Sequence, residues 1–205
     1  MLKDLTLTEY LQKTASGEAT PGGGSIAALC AAAAAGLTEM VANLTVGKKS
    51  YLSVESEMKD IAETVSDYRQ KLTRAIDDDP EAYNQVMAAY KLSKGTDAEI
   101  KLRNQAIQEG LKNAARVPMG VAEDAFKIMG YAENAIKKGN KNAVTDGLVA
   151  VMTARTAALA ALFNVKINLD SITDSAFVAK LSQQADTLER QVQEKEKEIL
   201  ATVDL

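Results

Sequence analysis

The chain has 205 residues, a formal net charge of −4 and 25% charged residues, which is an ordinary composition for one globular domain. The acidic balance, with no Lys/Arg stripe interleaved with aromatic residues, argues against nucleic acid as a partner. There is no histidine and Cys30 is the single cysteine, which argues against a zinc site and excludes an internal disulfide. Any general acid or base must therefore be Asp, Glu, Lys, Tyr or Cys.

The sequence also indicates the cellular compartment of the protein. The N-terminal twelve residues contain no apolar run typical of a signal peptide. The longest uncharged stretches, 22–38 and 147–154, do not match a membrane span of about 20 strongly apolar residues. We therefore expect a cytoplasmic protein with no membrane partner.

The first half of the chain predicts four helices, over about residues 6–17, 25–44, 54–76 and 80–90. A capping box at Thr6–Glu9 opens the first of them. The second is rich in alanine, so we expect it to be central and closely approached by its neighbours. Asp77-Asp78-Asp79-Pro80 predicts a stop and a restart, with Asp79 as the N-cap of the fourth helix and Pro80 at its first position.

The second half predicts three further helices, over about residues 97–138 and 144–165 and, after a loop that begins at Asp170 or Ser171, a last helix that includes residues 181–199. A second capping box at Thr96–Glu99 opens the long helix, which we expect to be interrupted or kinked at Pro118 and closed by Gly139-Asn140. No segment reads as a strand. The prediction is an all-α fold, an orthogonal or up-down bundle of about seven helices, in a single domain over residues 1–205.

Taken one at a time, the polar features have two interpretations each. The glycines of 22–24 precede a helix and can bring backbone N–H groups to an anion, or can simply form a turn that permits close packing. Lys48 and Lys49 suit a carboxylate ligand or are solvated. Asp77–Asp79 and Asp146 suit either helix capping or catalysis.

Several segments together resemble the cyclodeaminase part of formiminotransferase-cyclodeaminase. They read TPGGGSIAAL, LTVGKKSY, VMAAYKL, GNKN and NVKINL, and they occur in family order over nearly the whole chain at residues 20–29, 44–51, 86–92, 139–142 and 164–169. There are departures as well. Ser93 stands where the family has proline, and Gly147-Leu148 moves a small residue beside Asp146.

The resemblance implies an enzyme that converts 5-formiminotetrahydrofolate to 5,10-methenyltetrahydrofolate and ammonia. The second activity it implies is methenyltetrahydrofolate cyclohydrolase. Neither reaction needs a metal or a redox cofactor, so the expected ligand is a tetrahydrofolate substrate with no cofactor. The resemblance further implies a homodimer. A non-catalytic folate-binding protein and a helical interaction module stay open as alternatives.

The resemblance and the chemistry together assign candidate site residues. Asp146 is the first candidate for the acid or base, with Asp78 or Asp79 second. Lys91 and Arg103 are candidates for binding the glutamate tail. The other predicted substrate-binding residues are Gly22, Gly23, Gly24, Ser25, Lys48, Lys49, Tyr51 and Asn140.

Overall fold

The structure of the chain, a computed structural model, describes residues 1–203. Within these residues the chain forms six α-helices and three short 3-10 helices and has no strand, which confirms the all-α prediction. The α-helices are α1 Leu7–Thr14, α2 Gly23–Asn43, α3 Glu55–Tyr90, α4 Asp97–Lys138, α5 Val144–Leu169 and α6 Ser175–Leu200. The 3-10 helices are Leu2–Asp4, Lys49–Val54 and Lys141–Ala143.

The predicted helix break at Asp77–Asp79 is wrong, because α3 continues through Pro80. A proline inside a helix has no N–H, so the carbonyl four residues earlier loses its partner. Here that carbonyl belongs to Ile76, and the buried Ser25 hydroxyl of α2 donates to it at 2.7 Å. This bond replaces the missing one, and two predicted helices become one. The described chain therefore has six α-helices where the sequence predicted about seven.

Pro118 is accommodated in the same way. It lies inside α4, which is not interrupted there. The carbonyl left without an N–H partner is that of Ala114, and the Asn168 side chain of α5 donates to it at 2.8 Å. Each internal proline is thus compensated by a polar side chain from another helix.

Helices α2 to α5 form a four-helix bundle, with α2 against α3 and α5, and α4 against the same two helices. Helix α6 packs on α5 and α4. The alanines of α2 and α5, such as Ala28, Ala31, Ala154 and Ala158, are fully buried and let the helix backbones approach closely.

Helices α2 and α5 run antiparallel. Gly23, at the start of α2, lies against Asn164 near the end of α5. Leu44, just after the end of α2, accepts a hydrogen bond from Asn140, which precedes α5. Within residues 1–203, these are the two helices that could cross a membrane by length and composition alone, and about half of the most apolar window of each is buried inside the bundle.

Candidate active site

A cavity of about 440 Å³ opens at the end of the bundle where α2 begins. The glycine segment, the C-terminal part of α3, one turn of α4 and the end of α5 form its walls. Its lining residues are Ala19, Thr20, Gly22, Gly23, Asp79, Tyr83, Val86, Met87, Tyr90, Leu111, Ala114, Asn164, Ile167 and Asn168. This lining combines one carboxyl group, two carboxamides and two phenols with apolar walls, which is typical of a small-molecule site.

Asp79 is the carboxyl group of this cavity. It is half-buried, and its side chain lies directly against Gly24, in the space that a side chain at position 24 would occupy. Burial raises the pKa of the Asp79 carboxyl above its ordinary value, while the backbone N–H of Ser25 donates to it and lowers the pKa by a smaller amount. The carboxyl group of Asp79 therefore keeps its proton to a higher pH than an exposed aspartate does, which suits a proton donor.

The glycine segment fixes Asp79 in two ways. Gly24 leaves room for its carboxylate. Ser25 supplies a backbone N–H to Asp79, and its hydroxyl bonds Ile76, one turn earlier on the same helix. The hydroxyl of Ser25 is thus already bonded inside the protein.

Two asparagines of α5 form the opposite wall. Asn164 donates from Nδ2 to the Ala160 carbonyl at 2.9 Å and lies beside Gly23. Asn168 donates to Ala114, as described above. Neither residue was predicted from the sequence, although both belong to the NVKINL motif and are spaced four apart, which places them on one face of a helix. The tyrosines of the cavity were missed as well: Tyr90 belongs to the VMAAYKL motif, whereas Tyr83 lies outside every motif.

A cationic group lies against one tyrosine of the cavity wall. The guanidinium of Arg103, from α4, donates to the carbonyl of Tyr90 at 3.1 and 3.2 Å. It also lies 5.6 Å from the centroid of the Tyr90 ring. Lys91 follows Tyr90 directly and is exposed. Both predicted tail-binding residues are therefore next to a tyrosine that lines the cavity.

Asp78 lies on α3 beside Asp79 but is exposed and is not among the lining residues. Partial desolvation of its carboxyl group, followed by the charges of Glu81 and Asp77, raises its pKa. Successive helical residues point in directions about 100° apart, which separates the two carboxyl groups.

The remaining predicted residues meet at the other end of the bundle. Lys48 and Lys49 are exposed there, and the Tyr51 hydroxyl accepts a hydrogen bond from the backbone of Lys141 at 3.1 Å. Asn140 is buried; its Nδ2 bonds Leu44 and its Oδ1 accepts the N–H of Asn142. These contacts join the turn after α2 to the turn before α5.

Asp146 belongs to this second group, in the first turn of α5. It precedes Asn164 by a helical length of about 27 Å, since each residue rises about 1.5 Å. The first candidate for the catalytic carboxylate is thus remote from the glycine segment of its own chain. The unusual Gly147 beside it is a packing residue, because a β-carbon there would lie 2.5 Å from Ile136 of α4.

A different groove of about 430 Å³ lies between α4 and α6, lined by Met119, Glu123, Phe126, Lys127, Gln183, Gln184, Thr187, Leu188 and Gln191. It contains none of the predicted site residues. Among residues 1–203, no group of three or more Cys, Asp or Glu side chains is placed to hold a metal ion.

The fold and the cavity place this chain in a class of helical-bundle proteins with a glycine segment facing a carboxyl group. It belongs to the formiminotransferase-cyclodeaminase family, whose sequence profile matches residues 6–187. The solved structure of formiminotetrahydrofolate cyclodeaminase from Thermotoga maritima superposes with a TM-score of 0.87 at 34% identity, covering 97% of this chain and 96% of that one.

Two further relatives are similar over most of this chain. Methenyltetrahydrofolate cyclohydrolase from Methylorubrum extorquens is 39% identical over 183 residues, which is 89% of this chain and 88% of that protein. Formimidoyltransferase-cyclodeaminase from Rattus norvegicus is 33% identical over 187 residues, 91% of this chain. The match covers 35% of the rat protein's length.

Proposed function

We propose that this chain is a formiminotetrahydrofolate cyclodeaminase, which forms 5,10-methenyltetrahydrofolate and ammonia. The observation that carries the proposal is the Asp79 carboxyl group, half-buried in the cavity against Gly24 with a raised pKa. Expulsion of ammonia needs an acid close to the departing nitrogen. Asp79 supplies that acid where a folate-sized ligand has room.

One carboxyl group can carry out every proton transfer of the reaction. N10 attacks the carbon of the protonated formimino group, which forms the N10–C bond and leaves a tetrahedral carbon between N5 and N10. Asp79 takes the proton from N10 and passes it to the amine nitrogen. The C–N bond to that nitrogen then breaks, ammonia leaves, and the methenyl cation retains the positive charge. No proton is gained or lost overall.

The other residues in and beside the cavity suit the other parts of the folate substrate. The carboxamides of Asn164 and Asn168 each donate inside the protein from Nδ2, so we expect their Oδ1 atoms to accept hydrogen bonds from the pterin. Tyr83 and Tyr90 offer ring faces to a flat heterocycle. Arg103 and Lys91 lie where an anionic glutamate tail would leave the cavity.

The proposal includes a cofactor-free reaction, because the one-carbon unit keeps its oxidation state and only nitrogen ligands are exchanged. It also includes the cytoplasm as the compartment and a homodimer as the working assembly. The free thiol of Cys30 is consistent with a reducing compartment.

Methenyltetrahydrofolate cyclohydrolase is the second candidate, favoured by the 39% identity to the Methylorubrum extorquens protein over 88% of its length. In that reaction water adds to the methenyl carbon, a base accepts a proton from it, and the C–N5 bond breaks to give 10-formyltetrahydrofolate. Asp79 in its ionised form would be the base. In both reactions Asp79 first accepts a proton, so its raised pKa supports a proton-transfer role in either and does not separate them.

The two candidates are separated by supplying each substrate in turn. With 5-formiminotetrahydrofolate we expect the methenyl chromophore to appear with one ammonia per turnover. Enzyme-dependent loss of the chromophore from methenyltetrahydrofolate, with no turnover of the formimino compound, would instead establish the cyclohydrolase.

Substitutions then test the carboxyl group. Asp79→Asn is expected to lower kcat by about 10²-fold or more, the usual scale for losing a general acid. Asp67→Asn, an exposed aspartate on the same helix, is the matched control and should keep wild-type turnover. Full activity of Asp79→Asn, with loss in Asp146→Asn or Asp78→Asn, would transfer the role to that residue.

A further inference from the structure

Asp79 is the single charged residue among those that line the cavity. Among residues 1–203, no lysine, arginine or N-terminal amine lies within salt-bridge distance of its carboxyl group. A shielded carboxylate is costly unless a cation and hydrogen bonds compensate it. The cavity therefore presents an uncompensated negative charge whenever Asp79 ionises.

The groups that face Asp79 from the neighbouring helices do not supply that compensation. Tyr10 of α1 is buried, and burial, together with the nearby negative charge of Asp79, raises the pKa of its phenol and keeps it neutral. Burial likewise raises the pKa of the Cys30 thiol of α2, which lies near Tyr10. From α5 the cavity receives carboxamides and an isoleucine, and the Arg103 guanidinium of α4 is bound to a backbone carbonyl. A positive charge for Asp79 has to come from the ligand.

The start of α2 makes ionisation of Asp79 possible without completing it. The carboxylate lies against Gly24, in the first turn of that helix. Backbone N–H groups of a first turn have no partner inside the helix, and the positive end of the helix dipole favours a negative charge there. These partial charges reduce the cost of ionisation, whereas a full cation in the cavity would remove most of it.

The reacting groups of the proposed substrates are such cations. A formimino group is an amidine, which is protonated at neutral pH, and a methenyl bridge carries a permanent positive charge. Both spread their charge over a flat N–C–N unit. Tyr83 lies four residues after Asp79 on the same face of α3 and also lines the cavity, so a flat cation beside the carboxylate can lie near a tyrosine ring as well.

A neutral group of the same shape meets a different surface. A 5-formyl group has an oxygen where the protonated formimino group has NH2. That oxygen only accepts hydrogen bonds, as the ionised carboxylate of Asp79 does, so the two repel each other. A protonated Asp79 can donate to the formyl oxygen but has no attraction for a cation. The protonation state of one residue thus decides which of two ligands of equal shape is bound.

We propose that Asp79 selects folates by the charge of their one-carbon group, so that the cavity binds cationic groups at N5 and rejects the neutral 5-formyl group of the same shape. The attraction and the repulsion both come from one carboxylate. Binding is coupled to proton release: the protonated enzyme and the cation give an ion pair, and the proton passes to the solvent. The inference rests on the proposed folate-binding function, and it holds for either reaction because both substrates are cations.

This coupling reconciles the burial of Asp79 with its first step in the reaction. Burial raises the pKa of the free carboxyl group, which favours the protonated form. Asp79 must nevertheless be ionised to accept a proton from N10 or from water. A cation bound beside it lowers its pKa again, because an opposite charge stabilises the carboxylate. The base is therefore formed where the substrate is present.

Two ligands that cannot react test the selectivity. In both, a methylene group replaces N10 of tetrahydrofolate; one carries a 5-formimino group and the other a 5-formyl group. Their rings and tails are identical, so the ratio of their dissociation constants reports on the one-carbon group alone. Isothermal titration calorimetry measures both from pH 5 to 7.5. At the upper end of this range we expect the wild type to bind the formimino ligand at least about 100-fold more tightly.

The two affinities should depend on pH with opposite signs. Affinity for the cation should rise by up to about tenfold per pH unit until the free carboxyl group of Asp79 is fully ionised, and should then level off. Affinity for the formyl ligand should be constant in acid and fall as Asp79 ionises. A dissociation-constant ratio near one, or pH dependences of the same sign, would overturn the proposal.

A substitution shows whether Asp79 is the selecting group. Asp79→Asn keeps the shape and offers an N–H donor but cannot ionise, so the preference for the formimino ligand should fall to about tenfold or less and lose its pH dependence. The formyl ligand should bind this variant at least as tightly as it binds the wild type at pH 7.5. Asp67→Asn, an exposed aspartate on the same helix, is the matched control and should keep the wild-type ratio. An unchanged ratio in Asp79→Asn, or a collapsed ratio in Asp67→Asn, contradicts the assignment.

These binding measurements separate the selectivity from the proposed reaction, since neither ligand can turn over. The expected ratio and pH dependences, with no turnover of 5-formiminotetrahydrofolate or methenyltetrahydrofolate, would contradict the reaction and keep the selectivity. Turnover of either substrate with a ratio near one would contradict the selectivity alone. Failure of the wild type to bind both ligands would overturn the two proposals together.

Discussion

The carboxylate of Asp79, on α3, occupies the space that a side chain at position 24 would fill at the start of α2. Position 24 therefore has to be glycine because of the Asp79 carboxylate, and not because of the backbone conformation of the turn before α2. Gly24 is buried and helical, and its φ angle is not of the kind that only glycine adopts. The glycine motif and the candidate acid are in effect one structural unit.

Gly24→Ala tests this relationship. The new methyl group would displace the end of the Asp79 side chain, so we expect turnover to fall at least tenfold while the helices still form. Gly130→Ala is the control, since it is also helical and a β-carbon there meets nothing within 4 Å. It should raise the free energy of unfolding by up to about 1 kcal/mol and leave kcat unchanged. Activity, circular dichroism and thermal unfolding of both variants are the measurements. An active Gly24→Ala enzyme would mean that the position of Asp79 does not matter.

The pH dependence of stability gives a second prediction. Because burial raises the pKa of Asp79 in the folded protein, the folded state binds a proton more readily than the unfolded state. The stability that this group contributes is present below its unfolded pKa and is lost as pH rises through the folded value. Above that value the buried charge destabilises the native protein.

Asp79→Asn removes that charge while keeping an oxygen to accept the Ser25 N–H. We expect its Tm to exceed the wild-type Tm at pH 7 and the difference to shrink toward zero below about pH 4, the ordinary range for an aspartate. Thermal scans from pH 3.5 to 8 measure it, with Asp67→Asn as the exposed control. A difference that grows toward acid pH would show the opposite pKa shift.

The helix boundaries set by local contacts were predictable. Thr6 and Thr96 each cap a helix with a Glu three residues later, and both capping boxes are present in the structure. The continuity of α3 was not predictable in this way, because the group that replaces the missing proline N–H is Ser25, 51 positions away. A contact over that distance has no local signal.

The candidate site could be predicted only in part, because contacts between distant segments of the chain have no local signal. Motif membership selected Gly22 and Gly23, and the need for a carboxyl group made Asp79 a second candidate; the fold brings all three to one cavity. It also selected Lys49 and Asp146, which lie at the other end of the bundle. Spacing along the chain places residues on a helix face, but it does not specify which helix ends meet, since that depends on topology and on any second copy.

Pro80 and Ser25 allow a third prediction, by a double-mutant cycle. Ser25→Ala leaves the buried Ile76 carbonyl without a partner and should cost about 1–3 kcal/mol of unfolding free energy. In a Pro80→Ala background the helix regains its own N–H, so the same substitution should cost clearly less. Urea unfolding of the four proteins gives the interaction energy. Equal costs in both backgrounds would show that the hydroxyl does not compensate for the proline.

Arg103 provides the last prediction, which concerns the folate tail. Its guanidinium is held against Tyr90 by two hydrogen bonds to the carbonyl and by the ring, so its position at the cavity mouth is defined before any ligand binds. A charge-assisted bond to a tail carboxylate would be made equally in the ground state and in the transition state, because the tail is remote from the reacting carbon. Arg103→Ala should therefore raise KM roughly tenfold and leave kcat nearly unchanged.

The increase in KM should be larger for a triglutamylated substrate than for the monoglutamate if the tail passes this residue. Lys101→Ala, an exposed cation on the same helix, controls for general charge and should leave both constants unchanged. Steady-state kinetics with the two substrates decide the matter: a fall in kcat with an unaltered KM would place Arg103 in the chemistry and not at the tail.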